Sequence, residues 1–316
     1  MIKLGTRGSA LALAQANWVA EQLPGEVEIV PIRTTGDQPS QGQTPLGGLR
    51  APIPDKSRFV KELEEALLRR EIDIAVHSAK DVPTHFARGL LMLPVPGRAD
   101  PRDAICGAQS IEALADDAVV GTSSLRRRAL LLAARPDLDV RNLRGNVDTR
   151  LRRLADGEFD AIVVAQAGLD RLGRGAEGSP LDPREFVPAA GQGCLALEIR
   201  DADEAANRAV SALPGMTGVT EDTDADCLRE ERDVVRLLGA TCNTPIGVHA
   251  TAVFERSITL TAFVGLPDGS RWIRDEFDMP HPHGAGLIGH HVAERLRAAG
   301  ADELLEASGV GAAPAG

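Results

Sequence analysis

The chain contains little of several residue types and patterns that would point to particular classes of protein. Its four cysteines are far apart and include no C-x-x-C pair, which argues against a zinc cage and, in a reducing compartment, against disulfides. The sequence has no apolar run approaching about eighteen residues and no cleavable apolar segment near its start. We therefore expect a cytoplasmic protein that does not span a membrane.

Other absences narrow the range of ligands. Glycine-rich phosphate loops are missing from the sequence, so a nucleotide cofactor is not expected. The formal net charge of −11 disfavours nonspecific binding to nucleic acid, and no helix-turn-helix segment presents a basic surface. Four histidines near the C-terminus have no complete ligand pattern around them, so we expect no metal. These histidines are His281, His283, His290 and His291.

The pattern of elements predicts more than one domain in a chain of 316 residues. A helix is expected over residues 9–23, with Ser9 as its N-cap. Residues 118–168 alternate strand and helix, which predicts right-handed crossovers and a parallel sheet. A helix over residues 224–238, three strands of period two and a last helix predict a small α+β domain. Residues 36–58 have no periodicity, and we interpret them as a mobile lid or as a disordered insertion.

Residues 121–154 carry a net positive charge, whereas the chain as a whole is negatively charged. They contain nine arginines and three acidic residues, which gives a local net charge of +6. A basic segment in an acidic protein suggests a polyanionic ligand. The alternative is a solvated helix face, because the chain has only four lysines and uses arginine as its usual cation.

A polar turn opens this basic segment. Thr122, Ser123 and Ser124 lie between a strand and a helix, so their hydroxyls can cap the helix while its free N–H groups face an anion. Arg126 and Arg127 follow in the first turn, where arginine is unfavourable for the helix dipole unless an anion balances it. The alternative is an ordinary serine cap with arginines that face the solvent.

Two further places are candidates for chemistry. The apolar strand in IDIAVHSAKDVP ends at Lys80 and Asp81, which form either an ordinary surface ion pair or part of a site at a sheet edge. Asp81 could act there as an acid, a base or a stabiliser of positive charge. Cys242 lies in a short polar turn, where a thiol is a better candidate for covalent chemistry than a buried one, although most lone cysteines are inert.

The order of these motifs along the chain resembles the porphobilinogen deaminase (hydroxymethylbilane synthase) family. The motifs are GTRGSALALAQA, FVKELEEALL, DIAVHSAKDVP, DPRDA, VGTSSLRRR, LRGNVDTRL, AGLDRLG, AAGQGCLALE and ATCNTPIG. The resemblance implies an α/β fold: two α/β domains like those of type II periplasmic binding proteins flank a cleft, and a C-terminal α+β domain follows. It also implies a monomer that acts on porphobilinogen, with no nucleic-acid or membrane partner.

The resemblance implies boundaries for these domains. Residues 1–96 and 195–214 would form the first α/β domain, with an active-site lid at residues 36–58. Residues 97–194 would form the second, with the arginine-rich anion-binding edge. Residues 218–310 would form the C-terminal domain that carries the cofactor cysteine, and residues 311–316 a tail.

The resemblance also implies roles for individual residues. Cys242 would hold a dipyrromethane cofactor through a thioether, and Asp81 would be the catalytic carboxylate. The cofactor would be bound by Cys242, Lys80, Asp81, Thr122, Ser123, Ser124, Arg126, Arg127, Arg144 and Gly145. The substrate would be bound by Arg7, Ser9, Arg150, Arg171 and Gln192, and the lid would use Lys56 and Phe59. Four porphobilinogen molecules would condense with loss of ammonia, and hydrolysis would release hydroxymethylbilane.

The chain departs from the family pattern at two places. Ala240 and Thr241 precede Cys242 where the family usually has two glycines, and the lid ends in KSRF rather than in a K-G-x-F-like sequence. Two other classes of protein remain as alternatives: a noncatalytic two-lobed anion-binding protein and a cytosolic anion-responsive regulatory domain. The absence of an export signal and the presence of Cys242 with a third domain argue against the first.

Overall fold

The computed structural model describes residues 1–33, 60–83, 87–214, 223–241, 244–253, 256–281, 283 and 286–309. The strands are β1 (Ile2–Arg7), β2 (Val27–Ile32), β3 (Ile74–Ser78), β4 (Leu90–Pro94), β5 (Asp103–Cys106), β6 (Val119–Gly121), β7 (Asp139–Arg141), β8 (Ala161–Ala165), β9 (Ser179–Pro180), β10 (Leu195–Arg200), β11 (Ile246–Val253), β12 (Ser257–Gly265) and β13 (Trp272–Pro280). The helices are α1 (Ala10–Ala20), α2 (Lys61–Leu68), α3 (Leu125–Ala134), α4 (Val147–Ala155), α5 (Gln166–Arg171), α6 (Glu204–Ser211), α7 (Thr223–Leu237), α8 (Ile288–Ala298) and α9 (Ala301–Ala307).

Two five-stranded sheets have the same topology. Their strand orders are β2-β1-β3-β10-β4 and β7-β6-β8-β5-β9. In each sheet the first three strands are parallel, and the fourth, β10 or β5, runs antiparallel to both of its neighbours. The predicted α/β fold class is confirmed. The parallel pairing predicted for residues 118–168 is confirmed, because β6 pairs in parallel with both β7 and β8. The antiparallel strand β5 precedes that stretch and enters the second sheet directly from the first one.

The chain crosses between the two sheets twice, at residues 95–102 and 181–194, and the two crossings are bonded to each other. The Ala99 N–H donates to the Gly193 carbonyl at 3.2 Å. Gly193 has a φ of +91°, and a methyl group there would lie 2.3 Å from the Ala99 carbonyl oxygen. Only glycine fits this position without displacement. The close pairing of the crossings therefore depends on this residue.

The C-terminal part forms a third unit, an antiparallel sheet in the order β11-β12-β13 that packs against helices. Its core contains side chains from the sheet and from α7, α8 and α9, including Val234, Val248, Leu260, Val292 and Leu304. This agrees with the predicted α+β unit. Helix α9 was not predicted, because its apolar positions follow α8 after a single break at Gly300, which has a φ of +95°.

Helix α7 fastens the third unit to the crossings. The buried Glu231 carboxylate accepts from the Arg98 guanidinium at 2.7 Å and from the Gly191 N–H at 2.7 Å, so it touches both crossings. It also accepts from the Ala250 N–H on β11 at 2.8 Å. Burial by itself would raise the pKa of Glu231, but Arg98 outweighs it and lowers the pKa to about 2. Glu231 is therefore a charged anchor shared by three parts of the chain.

Candidate active site

Asp81 is held on a short turn at the carboxyl end of β3. The buried strand IAVHS leads into a 3₁₀ turn, Ala79–Asp81, and Val82 then returns to extended backbone. The Ala79 N–H donates to the Cys194 carbonyl at 3.0 Å, which ties the turn to the end of the second crossing. The turn thus presents Lys80 and Asp81 at the edge of the first sheet, where ligands usually bind in open α/β sheets.

A chain of hydrogen bonds connects this turn to the second sheet. The Lys80 Nζ donates to the Gln192 Oε1 at 3.1 Å. The Gln192 Nε2 donates to the Asp103 Oδ1 at 3.0 Å and to the Pro101 carbonyl at 2.8 Å. Gln192 belongs to the second crossing, and Asp103 is the first residue of β5. The side-chain amide of Gln192 therefore links the Asp81 turn to the arginine-rich half of the site.

Asp103 binds both arginines from the start of α3. Its carboxylate accepts from the Arg126 Nη1 at 2.6 Å and from the Arg127 Nε at 2.9 Å. Burial would raise the pKa of Asp103, but Arg126 and Arg127 outweigh it and hold that pKa far below its usual range. Arg126 and Arg127 are only 4% and 6% exposed. The alternative in which both arginines face the solvent is therefore wrong, because a buried anion balances them.

The polar turn before α3 caps the helix as predicted. Ser124 is the N-cap, and its hydroxyl accepts from the Arg127 N–H. The Thr122 hydroxyl accepts from the Ser124 N–H at 3.2 Å, while Ser123 is exposed. These hydroxyls fix the orientation of the first turn of α3 and hence of Arg127.

Arg150 and Arg144 lie beyond the next strand of the second sheet. Arg150, on α4, donates from Nε to the Gly145 carbonyl at 2.8 Å, and Gly145 has a φ of +113°. Burial and the charge of Arg127 lower the pKa of Arg150 to about 10, and the charge of Asp81 partly opposes this shift. Arg144 is exposed. Arg150 therefore adds to the positive charge that Arg127 brings to this edge of the second sheet.

The other predicted binding residues lie around the same edge. Arg7 is the last residue of β1. Ser9 caps α1 by accepting from the Ala12 N–H at 3.3 Å. Arg171, at the end of α5, donates from Nη2 to the Gly193 carbonyl at 2.7 Å, and burial lowers its pKa. The predicted residues thus follow strand ends of both sheets and the second crossing between them.

Three predicted residues, Cys242, Lys56 and Phe59, lie outside the described residues. On either side of Cys242, the Thr241 N–H donates to the Thr244 hydroxyl at 2.8 Å. The other three cysteines are buried. Burial raises the pKa of Cys106 to about 11 and that of Cys194 to about 12, and it also raises the pKa of Cys227. Those thiols are poor nucleophiles.

Sequence reasoning missed Asp103 as part of this site. It stands in the motif DPRDA, but nothing local signals that its partners lie more than twenty residues later in the chain. An acidic residue that opens a buried strand is a usable signal, since buried carboxylates are almost always paired. Among the described residues, no group of three or more potential ligands is placed to hold a metal ion, and no helix is long and apolar enough to cross a bilayer.

Comparison with known proteins identifies the family. Residues 2–208 match the family model described as "Porphobilinogen deaminase, dipyromethane cofactor binding domain", and residues 225–298 match "Porphobilinogen deaminase, C-terminal domain". The chain belongs to the porphobilinogen deaminase family. A porphobilinogen deaminase from Thermus thermophilus is 46% identical over 88% of this chain and 89% of its own length. One from Bacillus cereus is 43% identical over 98% of both chains.

Comparison with solved structures gives weaker likenesses. One is a putative periplasmic sulfonate-binding protein, SsuA, from Methylobacillus flagellatus, which is 13% identical and covers 73% of this chain and 72% of its own. Its TM-score is 0.38, which is too low to support an argument about ligand or mechanism. Membership of the porphobilinogen deaminase family therefore rests on the sequence matches. The sheet topology agrees with the fold expected for that family.

Proposed function

We propose that the chain is a hydroxymethylbilane synthase whose active site is the edge formed by the Asp81 turn and the arginines of the second sheet. The substrate of this activity is porphobilinogen, and the cofactor is dipyrromethane, as the matched cofactor-binding domain implies. One observation supports the location above all others. Lys80, next to Asp81 on the first sheet, donates to the Gln192 amide, and that amide donates to Asp103, which binds Arg126 and Arg127 of the second sheet.

The residues present fit the chemistry of the cofactor. Pyrrole acetate and propionate groups are carboxylates, and guanidinium groups bind carboxylates with two parallel hydrogen bonds. Burial lowers the pKa values of Arg150 and Arg171, as expected for cations in a poorly hydrated place. The negative charge of a bound carboxylate would favour the cationic form of both. When bound, the dipyrromethane provides the primer on which the product is assembled.

Asp81 is proposed as the catalytic carboxylate. Loss of ammonia from porphobilinogen leaves an electron-poor pyrrole system, and a fixed carboxylate stabilises positive charge on it. Asp81 can also accept a proton from a pyrrole carbon or donate one to the leaving ammonia. Both steps require the carboxylate to lie within hydrogen-bond reach of the reacting atom. Lys80, the preceding residue, is held by the Gln192 amide at 3.1 Å, which helps to fix the turn that carries Asp81.

The proposed binding roles divide among the remaining predicted residues. We propose that the cofactor is bound by Cys242, Lys80, Asp81, Thr122, Ser123, Ser124, Arg126, Arg127, Arg144 and Gly145, and the substrate by Arg7, Ser9, Arg150, Arg171 and Gln192. Arg126 and Arg127 also bind within the protein, because they donate to the Val187 carbonyl at 2.7 Å and to the Val163 carbonyl at 2.9 Å. These bonds and Asp103 hold both guanidinium groups in place.

The proposed domain division remains as predicted: residues 1–96 with 195–214, residues 97–194, and residues 218–310. The strand orders support it, because β10 completes the first sheet and β5 the second. A lid over residues 36–58, a monomeric state and a cytoplasmic location also remain proposals. The noncatalytic anion-binding alternative is not favoured, since the family matches extend through the C-terminal domain.

The intact mass of the purified protein tests this proposal. We expect the wild type to exceed its sequence mass by two porphobilinogen units less two ammonia molecules, and Cys242→Ser to lose that excess. Cys106→Ser is the matched control, because Cys106 is buried, and it should keep the excess. An adduct that persists in Cys242→Ser places the attachment elsewhere. A wild type that stays unmodified and releases no ammonia after incubation with porphobilinogen contradicts the proposed activity.

A further inference from the structure

Helix α7 reaches across to the turn that carries Asp81. From one face of this helix, Arg232 donates from Nη2 to the Pro83 carbonyl at 2.7 Å and from Nη1 to the Val82 carbonyl at 3.2 Å. Its Nη1 also lies 3.4 Å from the Ala79 carbonyl. One guanidinium group therefore contacts the backbone on both sides of Asp81.

The same face of α7 packs against this turn through an apolar side chain. Leu228, one helical turn before Arg232, lies in a buried cluster with Ala79, Cys194 and Ala196. Glu231, next to Arg232, is anchored to Arg98 and to the Gly191 N–H. The helix is therefore fixed at a point adjacent to the arginine, and the guanidinium group has a rigid base from which to hold the turn.

The remaining support of the Asp81 turn is uneven. On its N-terminal side, the turn continues from β3, which pairs with β1 and β10, and the Ala79 N–H is bonded to the Cys194 carbonyl. On its C-terminal side, Arg232 bonds the carbonyls of both residues that follow Asp81. Arg232 is half-buried, and burial lowers its pKa, as expected when these carbonyls replace part of its hydration.

We propose that Arg232 is a positioning residue for Asp81: it sets the backbone of the catalytic turn from the third unit of the protein without touching the substrate. The inference rests on the proposed function of Asp81. Helix α7 ends at Leu237, four residues before Thr241, which precedes the proposed cofactor cysteine. The same helix thus contacts the turn of the catalytic carboxylate and leads into the loop that is proposed to carry the primer.

Substitution of Arg232 should affect turnover more than substrate binding. A displacement of about 1 Å in a catalytic group can cost on the order of a hundredfold in rate. We expect Arg232→Ala to lower kcat by about ten- to a hundredfold and to change KM for porphobilinogen by less than about twofold, because the carboxylate-binding arginines are untouched. Arg232→Lys should recover part of kcat, since an ammonium group can bond one or two of the carbonyls but not span the turn.

Arg236→Ala is the matched control. Arg236 lies one turn further along α7, is exposed, and bonds only Asp233 of the same helix among the contacts described for it. Its removal deletes the same charge from the same helix and should leave kcat and KM unchanged. Each variant is prepared as the holoprotein, and intact mass and thermal unfolding are measured beside the kinetics.

The outcomes separate the inference from its premise. A kcat for Arg232→Ala equal to that of Arg236→Ala overturns the inference, and so does a loss that appears as a raised KM, which would indicate substrate contact. If Arg232→Ala does not fold or lacks the cofactor, Arg232→Lys becomes the test of the inference. A full wild-type kcat in Arg232→Lys would then overturn the inference. If the wild type and Arg236→Ala release no ammonia from porphobilinogen, the proposed function itself fails.

Discussion

Removal of the negative charge from Asp103 is the sharpest test of how the arginine half of the site is built. In Asp103→Asn the side chain keeps its shape, but one acceptor oxygen becomes an NH₂ group. That group would face donors, because the carboxylate now accepts from Arg126, Arg127 and the Gln192 amide. Both guanidinium groups would remain buried without an anion between them.

The magnitude follows from this burial. Breaking a buried ion pair by removing one partner costs about 3–5 kcal/mol, because the other charge stays uncompensated in a low dielectric. Here two cations lose the same partner, although each keeps a backbone carbonyl, that of Val187 or that of Val163. We therefore expect the free energy of unfolding to fall by about 3–5 kcal/mol. Chemical denaturation with linear extrapolation measures this change.

Asp100→Asn provides the matched control, because Asp100 lies three residues before Asp103, in the crossing that leads into β5. Asp100 pairs with Arg102 at 2.6 Å, but their side chains are 22% and 43% exposed. An exposed pair is worth about 0–1 kcal/mol, so this variant should differ little from the wild type. A loss below about 1 kcal/mol in Asp103→Asn would refute the reasoning, because it would mean that the two arginines do not need the charge.

The pH dependence gives a second check with a definite sign. The folded protein holds the pKa of Asp103 below its usual value, so the stabilisation is present above the ordinary carboxyl pKa of about 3.9. This stabilisation is lost only as the pH falls from the pKa of Asp103 in the unfolded chain toward its lower pKa in the folded protein. The difference between wild type and Asp103→Asn should therefore stay constant between about pH 8 and pH 5 and shrink in strong acid.

Other predictions concern the turn, the crossings and the thiols. Asp81→Ala should lower the rate of ammonia release from porphobilinogen by about a hundredfold or more while intact mass shows the cofactor retained, and near-normal release would remove Asp81 from its role. Gly193→Ala should lower the urea midpoint more than Gly25→Ala, because both glycines have positive φ but only the first would bring a methyl group against a backbone carbonyl; equal effects would contradict this. Iodoacetamide at neutral pH should leave the three buried thiols of the folded protein unlabelled in peptide mass mapping, because burial raises their pKa values, and rapid labelling would contradict it. These thiols are Cys106, Cys194 and Cys227.

Features that depend on neighbouring residues were predictable from the sequence. Ser9 and Ser124 both cap helices as expected, because an N-cap needs only a hydroxyl placed before a helical segment. The predicted helix over residues 224–238 corresponds to α7, which spans Thr223–Leu237. The turn at Asp81 was predictable for the same reason, since an apolar strand stops there at a charged pair followed by Val82 and Pro83.

Features that depend on distant residues were not predictable in this way. Arg232 contacts carbonyls about 150 residues earlier in the chain, and Asp103 pairs with arginines on another element. Their sequence contexts, an amphipathic helix and the start of a short strand, are ordinary. The antiparallel placement of β5 and β10 was equally hidden, because it follows from the crossings and not from the pattern within either strand.

The position of β10 also bears on how the protein is made. This strand lies between β3 and β4, yet it ends at residue 200, more than a hundred residues after β4. The N-terminal sheet therefore cannot close during synthesis until the whole second sheet has left the ribosome. The second sheet draws its strands from the continuous stretch between Asp103 and Pro180, so it can form first. We expect nascent chains to acquire protease resistance in the middle of the sequence before its beginning.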